Sequence, residues 1–152
     1  MISNKLFLSL LALLSFCKPI IAQSNDSDKI REVIHTFFDG LHAGDTLMIK
    51  GTAKDNIIMQ TIGKTEVKSV KFSDFLKSIA TINPETTKIQ EKILSYDIKV
   101  DGNMANAWTP YEFYVNDEFS HCGVNSFQLF KSEGNWKIFY IIDTRRKQDC
   151  NK

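Results

Sequence analysis

Across residues 89–144 the chain passes through four long segments of alternating apolar and polar residues, each joined to the next by a few turn-forming residues. Residues 89–100 lead through Asp101-Gly102-Asn103 to 104–115, Asn116-Asp117 leads on to 119–130, and Ser132-Glu133-Gly134 leads to 136–144. Alternation sends successive side chains to opposite faces of a strand. Asn, Asp and Gly supply the left-handed backbone that tight hairpins need. A chain with this back half is expected to build a meander of antiparallel strands, and the front half must cover one of its faces.

The front half has the matching pattern. Ile30, Val33, Ile34, Phe37, Phe38 and Leu41 recur at three- and four-residue spacing, which predicts an amphipathic helix starting near Asp28. Residues 45–50 read as a short second helix capped by Asp45 and stopped by Gly51. Residues 56–61 and 66–70 are strand candidates joined through Gly63, residues 73–79 read as a helix opening on Ser73 as its cap, and Asn83-Pro84 breaks the chain. Helices first and sheet last describe an α+β domain with its helices on one face of a curved antiparallel sheet.

At 152 residues there is chain for one such domain. A net charge of +1 with no long basic block excludes a nucleic-acid binder, and 24% charged residues with 11 Phe exclude intrinsic disorder. Residues 1–22 carry an early Lys5, an apolar run over 6–16 and Ile20-Ile21-Ala22. This predicts a secretory signal peptide cleaved after Ala22, with residues 23–152 as an exported domain, periplasmic or extracellular. A lipid anchor on Cys17 is the alternative, and the bulky Phe16 before it argues against one. No later run approaches the roughly 20 apolar residues of a spanning helix, so no stable membrane insertion is expected. Export leaves Cys122 and Cys150 as an even pair in a compartment that permits a disulfide. The alternative is two separate thiols, one in a strand and one on the tail.

Several stretches together have a familiar look. They are Val33-Ile34-His35-Thr36-Phe37-Phe38-Asp39-Gly40-Leu41-His42-Ala43-Gly44-Asp45, Trp108-Thr109-Pro110-Tyr111-Glu112-Phe113-Tyr114, Phe119-Ser120-His121-Cys122-Gly123-Val124-Asn125, and the ending Trp136-Lys137-Ile138 with Asp143-Thr144-Arg145-Arg146. The chain resembles the putative lumazine-binding family of the nuclear transport factor 2-like superfamily, which also holds SnoaL-like cyclases and ketosteroid isomerases. The resemblance implies a cystatin-like cone, a sheet wrapped around a pocket for a small organic ligand, commonly as a homodimer.

Counting registers from the turns assigns side chains to faces. If residues 132–134 form a three-residue loop, Asn125 falls opposite Ile141 and His121 opposite Arg145. If Asn116-Asp117 is a two-residue turn, Glu112 falls opposite His121 and Trp108 opposite Asn125. One face then carries Trp108, Glu112, Tyr114, His121, Asn125, Phe127, Phe139, Asp143 and Arg145, the mixture of aromatic and polar groups that a ligand pocket uses. The other carries Tyr111, Phe113, Val115, Cys122, Val124, Trp136, Ile138, Tyr140 and Ile142, as core or as a dimer surface.

Within this set Glu112 and His121 are the first catalytic candidates, since a carboxylate on an imidazole raises its pKa and fixes its tautomer. The alternative reading of the pair is a half-exposed cross-strand ion pair. Asp143 is a second candidate base, if desolvated beside Phe139 and Ile141, or else a salt-bridge partner of Arg145 or Arg146. Asn125 can orient a heterocycle edge or simply satisfy backbone, and Trp108 and Tyr111 can stack on a planar ligand or fill the core. Tyr114, Phe127 and Arg145 complete the ligand-binding candidates. His35 and His42 lack a third ligand beside them, so no metal site is expected, and neither a cofactor motif nor a phosphate loop occurs. Three readings stay open: a binding module, an acid/base enzyme of isomerase, cyclase or hydrolase type, and a structural or protein-interaction domain.

Overall fold

Apolar residues at helical spacing need a surface to bury against, and in a computed structural model describing residues 26–150 that surface is the inside of a curved sheet. The helices are α1 (Asp26–Ala43), α2 (Thr46–Thr52) and α3 (Phe72–Ala80); the strands are β1 (Ala53–Ile62), β2 (Val67–Lys71), β3 (Ile89–Ile93), β4 (Asp97–Asp101), β5 (Met104–Val115), β6 (Glu118–Ser132) and β7 (Asn135–Arg146). The signal peptide expected over residues 1–22 lies outside the described residues.

Helix α1 buries Ile30, Ile34, Phe37, Phe38 and Leu41 on Phe127, Leu129, Ile138 and Ile141 of the sheet. Each fully buried side chain of this size is worth about 1.5–3 kcal/mol relative to leaving it in water. Asp45 caps α2 as expected, its Oδ1 accepting from the amides of Leu47 and Met48 at 2.9 Å each. A Cβ on Gly40 would stand 2.9 Å from Ile49 Cγ1, so α1 and α2 cross where α1 has no side chain. Gly51 does not stop α2, which runs through to Thr52. Nor does Ser73 cap α3: strand β2 feeds straight into the helix, and Lys71 holds the cap position without a side-chain bond.

The strand order is β2-β1-β7-β6-β5-β3, with β4 also on β5. β1 lies parallel to β7 and the other pairs are antiparallel, so the sheet is mixed where an antiparallel one was expected.

Three irregularities correct the expected registers. First, residues 89–100 are two strands, because Pro110 has no amide hydrogen to donate to a neighbour. Leu94-Ser95-Tyr96 spans the gap opposite Thr109-Pro110, with Leu94 N donating to Pro110 O at 2.8 Å. Second, the Asn116-Asp117 turn is two residues long, with φ of 52° and 64°, but Ser120 then bulges, so Phe113 rather than Glu112 faces His121. The register without the bulge would turn Glu112 inward and Tyr111 and Phe113 outward. One unpaired residue costs less than that exchange. Third, the β6–β7 turn is Glu133-Gly134, with Ser132 opposite Asn135, and Phe139 bulges further along. β7 therefore presents Trp136 and Ile138 to the core before the bulge and Ile141 and Asp143 after it.

A disulfide joins Cys122 to Cys150 with Cα atoms 5.6 Å apart, tying the tail beyond β7 to the outside of β6.

Candidate functional site

The concave side of the sheet does not fill completely. Between α1, α3 and the strands remains a cavity of about 120 Å³. Its apolar wall is aromatic: Phe37 and Phe38 come from α1, Phe75 from α3 and Phe127 from β6. The rings of Phe37 and Phe75 lie 6.1 Å apart with planes 4° from parallel, and Phe127 meets Phe37 and Phe38 edge-on.

At the other end four polar side chains converge: Glu91 of β3, Asn125 of β6, and Asp143 and Arg145 of β7. Asn125 and Asp143 are register partners, and both are buried. Asn125 Nδ2 donates to Glu91 Oε1 at 2.6 Å, and Arg145 Nε donates to Asp143 Oδ2 at 2.7 Å. Tyr111 lies behind them, its hydroxyl donating to Thr144 O at 3.0 Å and standing 3.4 Å from Asp143 Oδ2. The tyrosine ring has room because Gly123 lies beneath it: a Cβ there would stand 1.8 Å from Thr144 O and 2.9 Å from Tyr111 Cε1.

Burial pushes the Glu91 carboxyl up to about 7; the Asp143 charge adds to this, while the Asn125 bond and Arg145 pull it down without offsetting it. Glu91 is thereby a carboxyl that exchanges its proton near neutrality. Burial, together with Glu91 and Asp143, also holds the Tyr111 phenol protonated well above its usual range. Behind Glu91, its own backbone N–H donates to His42 Nε2 at 2.8 Å, so the imidazole is neutral at that nitrogen. Burial lowers the pKa of His42, against the pull of Asp39.

The structure brings Asn125, Phe127, Asp143 and Arg145 together at this cavity. His121 is on the same side of the sheet but outside the cavity, stacked on Phe113 at 4.9 Å. Its pKa is lowered, by burial first and by Arg145 second, where pairing with Glu112 was expected to raise it. Glu112 is on the outer face, accepting from the Tyr114 hydroxyl at 2.8 Å. Trp108 is on that face too, half exposed, and Phe139 is also turned outward. The Ser120 and Phe139 bulges account for these displacements. Conversely, Tyr111, Phe113, Trp136 and Ile138, expected on the second face, point inward.

Sequence reasoning missed Glu91 and gave His42 no role beyond a rejected metal site. The signal for Glu91 was present: in Ile89-Gln90-Glu91-Lys92-Ile93 the acid occupies an apolar position of the alternation. A charged residue on the buried side of a strand has to be paired or to change its protonation. No group of three His, Cys, Asp or Glu able to hold a metal occurs among the described residues.

A family model described as putative lumazine-binding matches residues 25–140. No curated protein matches the chain. Among solved structures it is similar to a nuclear transport factor 2-like protein of unknown function from Shewanella baltica, 14% identical over 81% of this chain and 95% of that one, with a TM-score of 0.62. It is also similar to the function-unknown protein Rv3472(D26N) from Mycobacterium tuberculosis, 14% identical over 86% and 78% of the two chains, TM-score 0.68. A third is a nuclear transport factor 2-like protein with a cystatin-like fold from Novosphingobium aromaticivorans, 13% identical over 82% and 84%, TM-score 0.66. At these identities the likeness establishes the fold.

Proposed function

The chain belongs to the putative lumazine-binding family, and from that premise we propose that it is an exported domain that binds a small molecule through one planar ring. The observation that carries the reading is the cavity's division into an aromatic wall and a polar end built by Glu91, Asn125, Asp143 and Arg145. A cavity of about 150 Å³ lined by apolar groups takes up benzene, so about 120 Å³ suits a single ring. Phe37, Phe38 and Phe127 contact the ring, while Asn125 and the Glu91 carboxyl read its polar edge. The apolar run before Ala22 and the Cys122–Cys150 disulfide support export. The outer sheet face, where Ile58, Met104 and Trp108 are each at least half exposed, supports a homodimer.

A second reading has its own observation. Two carboxyls in one pocket, one held near neutrality and the other paired with Arg145, are what acid/base catalysis uses.

Native mass spectrometry of protein purified gently from its host, with unfolding to identify what is released, tests the first reading. A retained ring compound is expected. Asn125→Ala should weaken its rebinding by about tenfold, the worth of one good polar contact, while Glu112→Gln leaves it unchanged. Unchanged binding in Asn125→Ala would overturn the site. For the enzyme reading, Glu91→Gln should abolish turnover of the released compound and keep its binding.

A further inference from the structure

The cavity is open on the side of Arg145. Thr61, Val70 and Arg145 line it, and the same three residues line an outer groove between the β1–β2 hairpin and the end of β7. Cavity and groove therefore adjoin, with these residues as their common wall. Their chemistry differs sharply: the groove is lined by Lys64, Lys68, Arg145 and Arg146, with no acidic residue among its lining. On the far side of Arg145, a shallow depression continues with His121 and Lys147.

A chain with 19 Lys+Arg against 18 Asp+Glu has almost no overall excess of cations, so this concentration is local. The nearby carboxylates leave much of it uncompensated. Glu66 stands 3.6 Å from Lys68 with both side chains well exposed, an arrangement worth under about 1 kcal/mol. Asp143 engages Arg145 from inside the cavity through its Nε, while more than half of the Arg145 side chain stays exposed. Arg146 Nε donates to the backbone oxygen of Asp149, which leaves its charge in place. Several cations around a concave mouth raise the local concentration of anions and hold an anionic group placed between them.

We propose that the ligand is an aromatic or heteroaromatic anion, with its ring in the cavity and its carboxylate or phosphate in the groove among Lys64, Lys68 and Arg146. This rests on the ring-binding reading above and names the ligand class for it. Arg145 stands at the junction of ring and anion, where it selects compounds carrying both.

The test is calorimetric titration of the purified protein with phenylacetate, phenyl phosphate and the neutral phenylacetamide. At about 50 mM salt at least one of the anions should bind about tenfold more tightly than the amide, and the gap should close near 500 mM as screening sets in. Which anion binds better distinguishes a carboxylate ligand from a phosphate ester. Lys64 and Lys68 are exposed, so the double variant Lys64→Gln, Lys68→Gln should fold normally, lose most of the anion preference and keep its affinity for the amide. An amide that binds as tightly as both anions, or a double variant that keeps the preference, overturns the anion assignment and leaves the ring pocket standing. If none of the three compounds binds, the ring pocket falls with it.

Discussion

Replacing Glu91 with Gln should stabilise this protein at alkaline pH and leave it nearly unchanged in acid. The carboxyl is pushed from its ordinary 4.5 up to about 7, chiefly by burial. A carboxyl raised on folding is protonated in the native state while already ionised in the unfolded chain, so stability falls as pH rises from about 4.5 to about 7. Below that window the penalty is absent; above it the penalty is complete. At 1.36 kcal/mol per pH unit the ceiling is about 3 kcal/mol, and about 2 kcal/mol remains once partial contact with solvent is discounted. Gln has the same shape, stays neutral, and its carbonyl can accept the Asn125 amide that Glu91 Oε1 accepts at 2.6 Å. His42 and His121 act in the opposite sense, because burial lowers both. Their contribution is full above about 6.5 and is lost as pH falls toward their folded values. Both proteins share it, so the difference between them isolates Glu91. Urea unfolding of wild type and Glu91→Gln from about pH 5 to about pH 8.5 should show the variant's advantage growing by about 2 kcal/mol, or roughly 5–10 °C in Tm for a domain of this size. Parallel stability curves across that range would refute the desolvation argument for this pocket.

Two further outcomes are expected. Cys150→Ser should cost about 3–4 kcal/mol of loop-closure stabilisation for a bridge spanning 28 residues of sequence; reductant should bring wild type to the variant's denaturation midpoint, and a midpoint insensitive to both changes would count against the bridge. Sedimentation equilibrium should show a dimer that Trp108→Glu dissociates, because Trp108 is 50% exposed on the outer sheet face; a wild-type monomer at concentrations on the order of 100 µM would remove the dimer assignment.

Much of the fold was legible from local chemistry, although Gly51 does not stop α2 and Ser73 does not cap α3. The spacing of Ile30, Ile34, Phe37, Phe38 and Leu41 predicts α1 and its buried stripe, and Asp45 announces α2. The turns at Asn116-Asp117 and Glu133-Gly134 mark the hairpins of the meander. The site was legible in part, because Asn125, Asp143 and Arg145 lie on alternate positions whose shared face survives the errors around them: the shorter turn and the Phe139 bulge each shift the register by one, and together they restore the parity. On β5 the single Ser120 bulge has no partner to cancel it, so Glu112 and Trp108 exchange faces with Tyr111 and Phe113. Bulges are set by which register buries more apolar surface, a comparison across strands that no one strand reveals. Glu91 escaped for a related reason, since its pairing with Asn125 joins residues 34 positions apart on strands separated by β5.

The bond from the Glu91 amide to His42 has a consequence for how the molecule meets its neighbours. β3 ends the strand order on its side of the sheet, and such a strand offers bare amides on which a foreign strand can template itself. Here α1 spans that margin and a side chain, rather than another strand, takes up one of those amides. The stopper works through a lone pair, which a protonated imidazole no longer has. In acid the same ring becomes a second donor facing the first, and that amide of the sheet margin loses its acceptor while α1 still lies across it.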